Sequence, residues 1–146
     1  MFKKLLVAVD GSSHSKRAVG AAIDLAKRYQ ASVYLLHVIR DLSLPKEILE
    51  MIAAGEVTES RMEILQDSAE IILENAQERF KQAGLSDVKS GYVIGDPALK
   101  IADWAEQNDA DLIVIGHRGL GTRGEMLGSV TRKLLNITKT SCLVVR

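Results

Sequence analysis

The sequence predicts an α/β fold, a single-domain three-layer sandwich with helices on both sides of a parallel sheet. Two observations predict it. Short unbroken apolar runs recur along the chain, as strands covered on both faces require, and segments with apolar residues at helical spacing separate them. Five such runs alternate with four principal helical stripes, which is the pattern of successive βα units. A length of 146 residues at 47% hydrophobic suits one core, so residues 1–146 are read as one domain.

The first strand is predicted over residues 5–9, LLVAV, and Asp10-Gly11-Ser12-Ser13 turns the chain out of it. Ala18, Ala21, Ala22, Leu25, Ala26 and Tyr29 then recur at helical spacing, with Ser13 or Ser15 available as the N-cap. A second strand follows over 33–39. Residues 41–56 allow a short amphipathic helix after Pro45, through Ile48, Leu49 and Ile52, that extends the core or covers a pocket or partner. From about 58 to 83, Leu65, Ala69, Ile72, Ala76, Phe80 and Ala83 form a long stripe that Gly84 stops. The third strand is expected over 88–94. Asp96-Pro97 reads as N-cap and first helical residue of a helix with Leu99, Ile101, Ala102 and Ala105 inward. Residues 111–115 make the fourth strand, Leu127, Val130, Leu134 and Ile137 the last helical face, and 142–145 the last strand. Periodicity alone leaves the strand order open.

Lys plus Arg and Asp plus Glu both total 19, and aromatic content is 4%, so neither a basic field nor stacking rings argue for nucleic acid. The lone Cys142 has no partner thiol for a disulfide or metal site and reads as core packing in a reduced setting. His14, His37 and His117 are too dispersed for a metal motif. The opening apolar run meets Asp10 too soon for a signal-peptide core, and no run of about 18 apolar residues follows, so a cytoplasmic protein without a transmembrane segment is expected.

Residues 116–129, GHRGLGTRGEMLGS, carry the chemistry. Ligands of open α/β sheets enter at the C-terminal ends of strands, which is where this segment and the DGSS turn both lie. Gly119 to Gly124 spells G-x-G-x-x-G, but the following strand ends the sequence without the acidic residue about 20 positions on that a dinucleotide fold needs. A Walker loop fails as well, because Glu125 and Met126 stand where its Lys and hydroxyl residue belong. What survives is a divided anion site. Gly116 and Gly119 allow a turn whose amides face oxygens, Gly128-Ser129-Val130 add donors at a helix start, and Arg118 and Arg123 are charge partners. A plainer reading stays open, in which the glycines only turn the chain and both arginines are solvated.

The chain resembles the universal stress protein family in VAVDGSSHS at 7–15, LLHVI at 35–39, GDPALKIADWAEQNDADLIVIGHRG at 95–119, LGSV at 127–130 and SCLVV at 141–145. The resemblance implies a five-stranded parallel sheet in the order 3-2-1-4-5, of the adenine nucleotide alpha hydrolase-like kind. It also implies a homodimer through the last strand, residues 141–145. At residues matching the ATP-binding members, it implies that Asp10 ends the first strand as an acidic contact and Val38 lies on the adenine side. Ala8, Val9 and Ile115 wall the pocket, while Gly116, Gly119, Gly128 and Ser129 supply the phosphate and ribose elements, with Val130 following. The family places nine residues between the second glycine and the Gly-hydroxyl pair; here eight, Leu120 to Leu127, intervene, with Gly121 and Gly124 free to adjust the loop.

For Asp10, contact with ribose or an associated metal competes with receiving backbone donors in the turn. Val38 can only pack, while its backbone reads an adenine edge. His117 either donates to an anion or sits in solvent. No serine has an identifiable base and orienter, so no catalytic residue is assigned. The expected function is a regulatory protein that binds ATP, or ADP or AMP, with Mg²⁺ as an accompanying ion, and changes its contacts with a partner protein. A slow Mg-dependent ATPase and a ligand-independent dimeric scaffold are the alternatives.

Overall fold

A computed structural model describes residues 1–40, 55, 60–119 and 126–146. The expected short helix after Pro45, and Gly121, Arg123 and Gly124, lie outside these residues. The described elements run β1 (Lys4–Ala8), α1 (Ser13–Tyr29), β2 (Ser32–Arg40), α2 (Ser60–Gln82), β3 (Val88–Gly95), α3 (Pro97–Gln107), β4 (Leu112–Gly116), α4 (Ser129–Ile137) and β5 (Ser141–Val145). The sheet has five strands in the order β3-β2-β1-β4-β5, and every pairing is parallel. The order the resemblance implies is therefore the order found.

Alternation along the central strands divides the core in two. Leu5, Val7, Val33, Leu35 and Val114 face Ala18, Ala22, Leu73 and Phe80 of α1 and α2. Leu6, Leu36, Ile113 and Ile115 face Ala98, Ile101, Ala105 and Leu134 of α3 and α4. The alanines of α1 recur four apart on its buried face, so the helix lies close to the sheet. Sequence order reverses on either side of β1, which leaves a switch point between β1 and β4 at the C-terminal edge of the sheet.

Three local expectations need correction. The N-cap of α1 is Ser12, whose Oγ accepts from the Ser15 amide at 3.2 Å, and neither Ser13 nor Ser15 fills that place. Leu99 is 46% exposed, because Asp96 and Pro97 fix the start of α3 so that Ala98, Ile101 and Ala105 form its buried stripe. Ile137, at the last residue of α4, is exposed too, where Thr131 and Leu134 make the contact with the core. The Asp96 cap itself is as read, accepting from the Leu99 amide at 3.0 Å. Among the described residues no helix is long and apolar enough to cross a membrane.

Candidate functional site

A cleft of about 390 Å³ opens at the C-terminal ends of β1, β2 and β4, beside the switch point. Ala8, Val9, Asp10, Val38, Ile115, Gly116, Arg118, Gly119, Gly128, Ser129 and Val130 all line it. His117 is not among them, and it is buried rather than set in solvent.

The β1 side is a turn held by its own polar groups. The Asp10 carboxylate accepts from the Ser12 amide through Oδ1 at 2.9 Å, and the Asp10 amide donates to Ser15 Oγ at 3.1 Å. Gly11 takes φ +82 between them, a left-handed conformation that suits glycine. His37 lies within β2, and its Nδ1 is 2.7 Å from the Val9 carbonyl. A carbonyl only accepts, so the imidazole proton sits on Nδ1 and fixes the exit of β1 to β2.

The β4 side is built from close backbone approaches. A Cβ on Gly116 would lie 2.9 Å from the carbonyl carbon and Cβ of His14, so this glycine lets β4 pass against the first turn of α1. Its carbonyl accepts from Thr131 Oγ1 at 2.9 Å. The His117 amide donates to the Val145 carbonyl at 2.6 Å, and the His117 carbonyl accepts from the Gly128 amide at 2.9 Å. That last bond closes the loop. It joins the residue after β4 to the residue before α4, so Gly128 and Ser129 stand beside Gly116 and Gly119 with eight residues between the two glycine sets. A Cβ on Gly128 would meet the Arg118 Cα at 2.9 Å, which makes the closure possible only with glycine there.

Of the helix starts near this edge, those of α1, α3 and α4 differ in their caps. Ser12 caps α1 and Asp96 caps α3. The N-cap of α4 is Gly128, which supplies no side-chain hydrogen bond, and no acidic residue stands in the first turn. The first amides of α4, at Ser129 to Thr131, therefore keep their donors, and the positive end of the helix dipole lies at the cleft.

Asp96 also holds α3 to α4 through a 3.1 Å ion pair with Lys133. The Leu99 amide, and then Lys133, keep its carboxyl below the usual carboxylate range. Arg118 donates from Nε to His14 Nε2 at 2.9 Å and is part-buried, so its guanidinium is tethered rather than loose.

Sequence reasoning did not select Ser15, Arg40, Ser68 or Thr131, which also line the cleft. Thr131 was accessible, two positions beyond Ser129 at a helix start. Ser68 sits on α2, far along the chain, and nothing in its own surroundings marks it.

Residues 1–146 match the universal stress protein family model. The chain is 37% identical over 150 residues to Universal stress protein YxiE of Bacillus subtilis, covering 100% of both chains. Among solved structures it is similar to universal stress protein UspA from Lactobacillus plantarum, with a TM-score of 0.81 at 25% identity, over 99% of this chain and 98% of that one. It is also similar to a universal stress protein in complex with cAMP, with a TM-score of 0.72 at 29% identity, over 99% and 97%. Sheet order, the glycine-built cleft and these full-length likenesses agree, and the chain belongs to the universal stress protein family.

Proposed function

We propose that the protein binds an adenine nucleotide, ATP foremost, in this cleft, and acts as a regulatory homodimer in a stress response rather than through rapid turnover. The observation that carries the reading is the uncapped start of α4 beside Gly116 and Gly119, facing the same cavity as Asp10 and Val38. Free amides and a helix dipole suit phosphate oxygens. The apolar stretch of Ala8, Val38, Ile72 and Ile101 suits a base, with Asp10 beside the sugar. The cAMP complex of a 29% identical relative supports an adenine ligand.

Asp10 is the one carboxylate among the described lining residues. Magnesium bound with ATP would take its oxygens from the phosphates, water and Asp10, and would neutralise phosphate charge. Position 10 is the carboxylate that would hold it, and the Ser12 amide orients that group. The dimer is assigned to β5, an edge strand that presents Leu143, and nucleotide-dependent contact with a partner protein follows if the ligand favours one of two conformations.

Mass spectrometry of small molecules released from gently purified protein, followed by calorimetric titration, tests the reading. An adenine nucleotide in the released fraction and saturable binding are expected. An empty release together with no binding of ATP, ADP or AMP at millimolar concentration would overturn it.

A further inference from the structure

Arg118 is fixed at both ends. Its Cα abuts Gly128, its Nε donates to His14 Nε2 at 2.9 Å, and it lines the cleft with Gly119 and Ser129. A guanidinium cannot accept a hydrogen bond, so His14 Nε2 is the acceptor and the imidazole is neutral with its proton on Nδ1. That Nδ1 is buried and has no hydrogen-bond partner. The tautomer thus leaves a buried donor unsatisfied while it presents Nε2 to the arginine. His14 is itself anchored, since Gly116 packs on its Cβ and the Ser12 cap sets the first turn of α1.

We propose that His14 is a positioning residue for phosphate recognition. By holding Nε it orders a long side chain before ligand arrives and leaves the donors on Nη1 and Nη2 for an anion at the start of α4. A free arginine would surrender rotamer freedom on binding, and the one held by His14 surrenders less. The ligand class that benefits is the nucleotide with a phosphate, not the bare nucleoside. This rests on the adenine-nucleotide reading above.

The test is calorimetric titration of AMP and adenosine into the intact protein and four variants. Wild type should prefer AMP. His14→Leu, which removes the acceptor, should cut that preference by about 10-fold with adenosine affinity unchanged, the size expected for a lost hydrogen bond to a charged group. His14→Gln, whose Oε1 can accept in place of Nε2, should hold the preference within about 3-fold. In an Arg118→Ala background, His14→Leu should change nothing further.

If wild type binds neither compound, nor ATP nor ADP, the nucleotide reading itself falls. If wild type binds both without preference, or if His14→Leu leaves the preference intact or weakens both compounds equally, the positioning role is overturned while nucleotide binding stands. A His14→Gln protein as impaired toward AMP as His14→Leu would also overturn it.

Discussion

The Gly119 backbone lies directly against the Asp10 carboxylate, and a Cβ at position 119 would overlap Oδ2. Because Oδ1 is held by the Ser12 amide, the carboxylate cannot rotate aside without losing that bond. Gly119→Ala should therefore cost about 1–3 kcal/mol in stability from local overpacking and lower nucleotide affinity by at least about 10-fold. Thermal melts and calorimetric titration of the variant check both, and a fully stable, fully binding alanine variant would contradict the packing.

Gly91 presents the same problem away from the cleft. A Cβ there would run into the Tyr34 hydroxyl, and Tyr34 stacks on Trp104 with ring centroids 4.2 Å apart at 28°. Gly91→Ala should shift the emission of the chain's one tryptophan and destabilise by about 1–3 kcal/mol. Removing the hydroxyl makes room, so the double variant with Tyr34→Phe should recover most of both, a non-additivity expected of residues in contact.

Asp96 links stability to acid. Its carboxyl lies below the usual range in the folded protein, through the Leu99 amide and Lys133, so its contribution is complete above the unfolded-state pKa. It is lost as pH falls through the depressed folded value. Asp96→Ala should cost about 1 kcal/mol at pH 7, the worth of an N-cap, and Asp96→Asn less, because asparagine still caps. The gap between wild type and Asp96→Asn should close between about pH 5 and pH 2, measured by denaturant titration across that range.

If the proposed dimer forms through β5, Leu143 is the residue to change. It is 36% exposed on an edge strand. Leu143→Lys should yield a monomer in size-exclusion chromatography with light scattering, since a charge on a sheet edge opposes pairing. A dimer that survives the lysine would place the interface elsewhere.

Cys142, on the same strand, is half-buried, and burial pushes its thiol up. At pH 8 it should react with a disulfide reagent more slowly than an unstructured peptide thiol, because less of it is thiolate. Equal rates in a stopped-flow comparison would show an open, unperturbed group.

Much of this architecture could be read before the structure. The apolar runs mark β1 and β4 because both faces of those strands are covered, and the Asp96-Pro97 pair marks the start of α3. The glycine frame was legible as well, since Gly116, Gly119 and Gly128 meet around one cleft. What could not be read depends on tertiary neighbours. Choosing Ser12 among clustered serines needs the backbone conformation, since the N-cap is extended while Ser13 already belongs to the helix. His117 is buried, and its backbone bonds residues of two distant elements, Val145 and Gly128, which no local pattern gives. His14 and Arg118 are 104 residues apart, and no local pattern announces that they share a hydrogen bond.

The place of β1 in the sheet bears on how the protein is made. Its partner on one side, β2, ends by residue 40, but its other partner pairs Leu5 with Leu112. A nascent chain that has not yet emitted β4 therefore holds its most apolar strand with one hydrogen-bonding edge bare. Synthesis proceeds at about 5–20 residues per second, so that edge stays open for seconds, long enough to invite pairing with another chain. The last third of the sequence, which completes the cleft, is also what shields the strand that was made first.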